Sequence, residues 1–195
     1  ILTRRGGDYA EARGSVNSYG TYEGQLAAGF ESGAFTQNYS AAWRDGEGYR
    51  NHSDVERMSL SGRWGLALGD AVRVGAIARY YEGAGEEPGY LTLADRTTDP
   101  RMTNGYNTSD ADSRDMQQYA LTLCAALGGG LDWASIAYLN RLRDDRHVKF
   151  SASASQQRRL EAEDQYGVTS TLHWHGELSG MVLMLEAGGE VQWQD

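Results

Sequence analysis

Arg57 and Arg63 lie an even number of residues apart, as do Arg73 and Arg79, and Arg44 falls in the polar set of its own alternating segment. On a strand such spacing files side chains along one face. Guanidinium groups in file can clamp carboxylates by bidentate bonds or line an electropositive route for an anion. Plain solvation of a polar face is their more ordinary use. Tyr49, Tyr90 and Tyr106 sit in stretches rich in Gly, Asn and Asp, where rings can stack on a ligand or pack loops against one another, the second being commoner. Asp110, Asp112, Asp115, Asp144 and Asp145 supply hard oxygens of the kind Ca²⁺ takes, but residues 110–115 lack the EF-hand spacing and its Gly. Solvated loop charge is the better reading. His173 and His175 share a strand face, yet two ligands are too few for a metal site. Cys124 is alone, which leaves no intrachain disulfide and no CxxC spacing.

The elements that must position these groups are strands. Alternation with period two recurs in nine segments, about 8–18, 22–31, 35–45, 57–66, 72–81, 115–127, 132–143, 165–174 and 181–194. The clearest sets Met58, Leu60, Gly62, Trp64 and Leu66 against Arg57, Ser59, Ser61, Arg63 and Gly65; after a tight turn at Gly69 and Asp70 the next returns with Val72, Val74, Ala76, Ala78 and Tyr80. The seventh has two competing faces, and the even set of Ala134, Ile136 and Tyr138 is favoured, which sends Arg141 and Arg143 to the polar side. Short turns alternate with longer loops at 46–53, 82–114 and 144–164, so every long loop falls on one side. Outer-membrane barrels have this asymmetry; soluble sandwiches have no reason for it.

The bulk properties agree. The chain has 25 Gly, 2 Pro, 12 Tyr and 5 Trp in 195 residues, and no run approaches the ~18 apolar residues of a spanning helix. Low mean hydropathy does not exclude a membrane barrel, whose strands average lipid-facing and lumen-facing residues. The net charge of −9 argues against a nucleic-acid partner. An odd number of strands cannot close a barrel without an edge in lipid, so the chain reads as a fragment of an all-β, antiparallel transmembrane β-barrel.

Ile1-Leu2-Thr3-Arg4-Arg5-Gly6 resembles the stretch that leads from the plug into the first barrel strand of TonB-dependent receptors. Residues 39–49, Y-S-A-A-W-R-D-G-E-G-Y, resemble the third strand and second extracellular loop of that family. Gly89-Tyr90-Leu91-Thr92 and Asp99-Pro100-Arg101 are similar to the long third loop of its iron-siderophore receptors. The resemblance implies a 22-stranded barrel filled by a plug, with residues 1–7 ending the plug and its linker and residues 8–195 forming the N-terminal portion of the barrel. It also implies a bacterial outer-membrane location, no enzymatic activity and no cofactor. The implied function is import of a scarce ligand, a ferric siderophore before haem or cobalamin, energised by the TonB-ExbB-ExbD complex through residues upstream.

On that reading Arg44, Arg57, Arg63, Arg73 and Arg79 are lumenal and touch the plug of the same polypeptide, and Tyr49, Tyr90 and Tyr106 are candidates for ligand contact. Outer-membrane lipid and lipopolysaccharide surround the barrel. Two alternatives stay open: a smaller passive barrel or adhesin, and an outer-membrane hydrolase using Asp144, Asp145 and His147, for which no activated Ser or Cys pattern is present.

Overall fold

In the computed structural model, which describes residues 7–195, the alternating segments form one antiparallel meander. Its strands are β1 (Tyr9–Asn17), β2 (Thr21–Ser32), β3 (Phe35–Gly46), β4 (Val55–Leu68), β5 (Val72–Glu86), β6 (Ala111–Gly128), β7 (Leu131–Val148), β8 (Gln157–Leu178) and β9 (Met181–Gln194), each hydrogen-bonded to the next. A single short helix, α1 (Leu93–Thr98), lies between β5 and β6. The segment 1–6, with the motif that resembles a plug exit, lies outside the described residues.

The register fixes which residues share a face. Leu26 stands opposite Ala41, Ala41 opposite Leu60 and Leu60 opposite Tyr80, so the apolar sets of consecutive strands merge into one continuous surface. Its residues are not covered: Leu26, Leu121 and Val191 are 62 %, 65 % and 55 % exposed. Among the described residues only Ala125 and Val148 are buried hydrophobics, so there is no core of the kind a soluble domain of this length builds. The polar face is the concave one, since Tyr9 on β1 reaches across β2 to donate to Asn38 Oδ1 on β3, 3.3 Å away.

Aromatic rings bound the apolar surface in two rows. Tyr22, Trp43, Tyr80, Tyr119, Tyr166 and Trp193 lie toward the long loops, and Phe30, Phe35, Trp64, Trp133 and Trp174 toward the short turns. All belong to the apolar set by register. Tyr22 and Phe30 are eight residues apart on β2, which at ~3.3 Å per residue gives ~26 Å along the strand. A tilt of about 40° brings this to roughly 20 Å of height, close to the apolar band of a membrane barrel.

The turns β2–β3, β4–β5, β6–β7 and β8–β9 are tight. Gly69 takes φ +71° at the β4–β5 hairpin, and Gly130 has φ +78° with the His175 carbonyl oxygen where a Cβ would stand. A side chain would be strained at Gly69 by its backbone conformation and is excluded at Gly130 by the His175 carbonyl.

Three expectations change. Strands continue past the aromatic row nearer the loops: β5 runs to Glu86, β6 starts at Ala111, β7 runs to Val148 and β8 starts at Gln157. Alternation fades there because both faces are wet, while the ladder still satisfies the backbone. The loops accordingly shrink to 87–110 and 149–156. In β7, Leu139 pairs with Tyr119 and Ala137 with Leu121, so the odd set joins the apolar convex face and Arg141 and Arg143 point outward, where both meet Asp164 at 3.5 and 2.7 Å. Neighbouring strands decided what two equally apolar faces could not.

Candidate functional site

Three loops on one end of the sheet, 47–54, 87–110 and 149–156, are cemented into one body. Asp110, 1 % exposed, is its centre. Its carboxylate accepts from Asn107 Nδ2 at 2.7 Å, the Lys149 backbone N–H at 2.9 Å and Gln156 Nε2 at 3.2 Å. Its carbonyl accepts from the Glu87 N–H at 2.9 Å and faces His52 Nε2 at 2.7 Å. One residue thus touches all three loops. A buried carboxylate is tolerated because each oxygen is met by a donor.

Arg50 forms a second joint. Its guanidinium donates to the carbonyls of Pro88, Gly89 and Met102, while the Arg50 carbonyl accepts from Ser53 Oγ. Arg101 donates through Nε to the Tyr49 carbonyl at 2.9 Å, and its own carbonyl accepts from the Asn51 N–H at 2.8 Å. Helix α1 begins on a capping box. Thr92 Oγ1 accepts from the Asp95 N–H, and the Asp95 carboxylate accepts from the Thr92 N–H and hydroxyl, which holds Asp95 below the usual carboxylate range.

Between these joints lies a cavity of about 370 Å³. Tyr90, Tyr106 and Phe150 supply rings, Arg146, Lys149 and Arg159 supply positive charge, and Glu86, Glu87 and Asp110 supply negative charge. Arg146 and Arg159 oppose each other in register on the concave side of β7 and β8, so the cavity opens over the polar interior. Arg146 is clamped bidentately by Glu87 at 2.6 and 2.7 Å, which raises its already high proton affinity. Arg159 lies 5.4 Å from the Phe150 ring centre, and Lys149 is the one lysine of the chain. Such a lining can hold a planar ligand with hydroxyl or carbonyl oxygens: rings stack on its π faces, and Lys149, Arg159 and the neighbouring polar groups bond its oxygens.

The expected ligand tyrosines therefore divide. Tyr90, 88 % exposed, and Tyr106 line this cavity together. Tyr49 does not; its ring packs edge-on against Tyr19 at 5.3 Å with the Arg101 guanidinium 5.8 Å from both, a loop-packing role. Residue types alone singled out neither Asp110 as a joint nor Arg50, Arg146 and Arg159. The single lysine in an arginine-rich chain was the one available signal.

The five filed arginines lie elsewhere, on the concave face of β3, β4 and β5. Arg44 faces Glu23 at 3.3 Å and stands opposite Arg57. Arg63 and Arg79 line a second cavity of about 300 Å³ deeper in the wall, and Arg73 lies near the short turns, opposite Cys124. Strand alternation separates Asp144, which meets Arg114 on the concave face at 2.6 Å, from Asp145 and His147 on the other. Asp145 is clamped by Arg158 at 2.9 and 2.7 Å, so no shared hydrolytic constellation forms. His173 pairs with Glu186 at 3.1 Å and His175 faces Asp132 at 3.8 Å. Among the described residues no group of three or more His, Cys, Asp or Glu could hold a metal.

No protein-family model matches the chain, and no curated protein matches it in sequence. Its fold, by contrast, is found within solved receptors. The ferric-catecholate import receptor Fiu of Escherichia coli K12 superposes with a TM-score of 0.76 at 12 % identity over 96 % of this chain. The siderophore receptor PiuA of Acinetobacter baumannii gives 0.77 at 13 % over 97 %. The ferripyoverdine receptor of the outer membrane of Pseudomonas aeruginosa, bound to ferripyoverdine, gives 0.73 at 13 % over 99 %. The chain spans about a third of each, 32 %, 30 % and 28 % of their lengths. The nine strands therefore have the fold of a section of the β-barrel wall of such receptors, the fold that the family resemblance implied.

Proposed function

We propose that this chain is the N-terminal part of the barrel wall of a TonB-dependent outer-membrane receptor that imports a ferric siderophore. The observation that carries the reading is the joined loop body: three loops on one end of a sheet with an exposed apolar face enclose a cavity lined by rings and by charges of both signs, open to the polar interior. A passive channel has no need of such a cavity. An iron chelate with aromatic or hydroxamate donors matches its rings, with Lys149 and Arg159 placed to meet the chelating oxygens. Iron enters this account as cargo.

The rest of the receptor reading follows the family resemblance. A plug of the same polypeptide fills the lumen and faces Arg44, Arg57, Arg63, Arg73 and Arg79. The TonB-ExbB-ExbD complex supplies energy through residues upstream. Lipid covers the convex face between the two aromatic rows, and lipopolysaccharide meets the charged zone above. The edges of β1 and β9 pair with further strands, because an unpaired edge in hydrocarbon leaves its backbone groups unsatisfied.

The test is uptake of radiolabelled iron by a strain lacking the native gene and carrying the full-length receptor. Iron is offered as tris-catecholate, trihydroxamate or citrate complexes. One class should accumulate, and Lys149→Ala combined with Arg159→Ala should raise the half-saturating concentration at least tenfold. A charge-assisted contact is worth about 1.5–3 kcal/mol, so one lost contact suffices for that change. Absence of uptake with every complex overturns the receptor reading.

A further inference from the structure

Loop 47–54 meets the Asp110 joint through the ring of His52. His52 has φ +57°, in the left-handed region that a residue with a Cβ takes only under constraint. Its side chain is 15 % exposed and lies between Glu86, the last residue of β5, and Asp110, which immediately precedes β6.

Both ring nitrogens face acceptors. Nε2 is 2.7 Å from the Asp110 carbonyl oxygen, which can only accept, so Nε2 carries a hydrogen. Nδ1 is 3.1 Å from Glu86 Oε1. A neutral imidazole has one N–H and would turn a lone pair on that carboxylate, whereas an imidazolium donates at both nitrogens. Glu86 also accepts from the Asp54 N–H at 3.3 Å, and among the described residues its one cationic partner is His52.

The other charged groups on the elements that meet here have partners of their own or add negative charge. Arg50 donates to the carbonyls of Pro88, Gly89 and Met102, Glu87 clamps Arg146, and the Asp110 carboxylate is met by Asn107, Lys149 and Gln156. On β7, His147 stands 3.7 Å from Asp145. Glu47, Asp54 and Asp112 line one acidic cavity together with Glu86. The surroundings favour a cationic ring.

We propose that His52 is a proton-operated latch of the loop body. Protonated, it ties loop 47–54 to both Glu86 and Asp110; neutral, it keeps the Asp110 bond and sets a lone pair against the Glu86 carboxylate. Glu86 and Asp110 both line the cavity between the loops, so release at the ring loosens that wall and leaves the Glu86 charge without its cation. Acid closes the joint and alkali loosens it. The inference rests on the loop geometry and not on the receptor reading.

The experiment is amide exchange in the full-length receptor in detergent, corrected for intrinsic rates, at about pH 5.5 and about pH 8.5, either side of the ordinary histidine range. In wild type the amides of Asn51, Asp54 and Glu87, whose acceptors span the joint, should exchange about fivefold faster at the higher pH. In Glu86→Gln the new amide nitrogen donates to an unprotonated Nδ1, so exchange should be equally slow at both pH values. His52→Gln keeps one donor and does not titrate, so its two rates should also agree. His147→Gln and Asp112→Asn should respond as wild type does. Heat-dependent electrophoretic mobility verifies that each barrel is folded. A wild type without a pH response overturns the proposal, as does a folded His52→Gln or Glu86→Gln that keeps the response, or its loss in His147→Gln or Asp112→Asn.

Discussion

At the scale of single residues, the loop body depends on a few buried, hydrogen-bonded polar groups centred on Asp110 rather than on apolar packing. Replacing Asp110 with Ala leaves the Lys149 N–H without its acceptor and removes one bond each from the Asn107 and Gln156 amides, which keep the Lys149 carbonyl and Ser109, at about 1–3 kcal/mol for a donor that water does not reach. Amide exchange in residues 47–54, 104–110 and 149–156 should rise together by at least tenfold, with no change in β2–β4. A rise confined to one loop would show that Asp110 is not a common joint. Tyr49→Ala, by comparison, should loosen the contact with Tyr19 and Arg101 yet leave chelate affinity within about twofold, whereas Tyr90→Ala should weaken it, as measured by equilibrium binding. The sequence showed that these tyrosines lie on loops but not which meet, because Tyr19 and Arg101 come to Tyr49 from distant segments. Asp110 resembled any other loop carboxylate until three loops closed on it.

At the scale of elements, period two and turn chemistry were enough to place every strand, since each face of a membrane strand sees a different solvent. What they could not set is where strands end above the lipid, where both faces are wet, or which way β7 faces, since Trp133, Ala137 and Leu139 rival Ala134, Ile136 and Tyr138. The register with β6 settled the second point. Helix α1 has a legible start in Thr92-Leu93-Ala94-Asp95, but its six residues are too few for a periodic signal. Its stability carries a pH signature. Asp95 is held ionised by Thr92, so its folded pKa lies below the unfolded one. That contribution is present above about pH 4 and lost as pH falls through the folded value. Protection of the α1 amides, corrected for intrinsic exchange, should be constant from pH 5 to 8 and fall below pH 4 in wild type. In Asp95→Asn it should not depend on pH, and an equal acid response in both proteins would exclude the capping box as the cause.

At the scale of the whole molecule, the absence of a buried apolar core among the described residues, the exposed apolar face and the two aromatic rows make sense together only if lipid covers the convex side. The same geometry gives the wall a polar concave side and puts the joined loops at one end of it. Everything proposed about reception and transport stands on that assignment of faces. The most direct measurement is thiol labelling with a membrane-impermeant maleimide in isolated outer membranes, using single-cysteine variants of the full-length receptor in which inward-facing Cys124 is replaced by Ser. Introduced cysteines at Leu26, Leu60 and Leu121 should stay unlabelled until detergent is added, while cysteine at Tyr90 should label at once. Equal labelling of Leu26, Leu60, Leu121 and Tyr90 positions without detergent would contradict a lipid-facing surface.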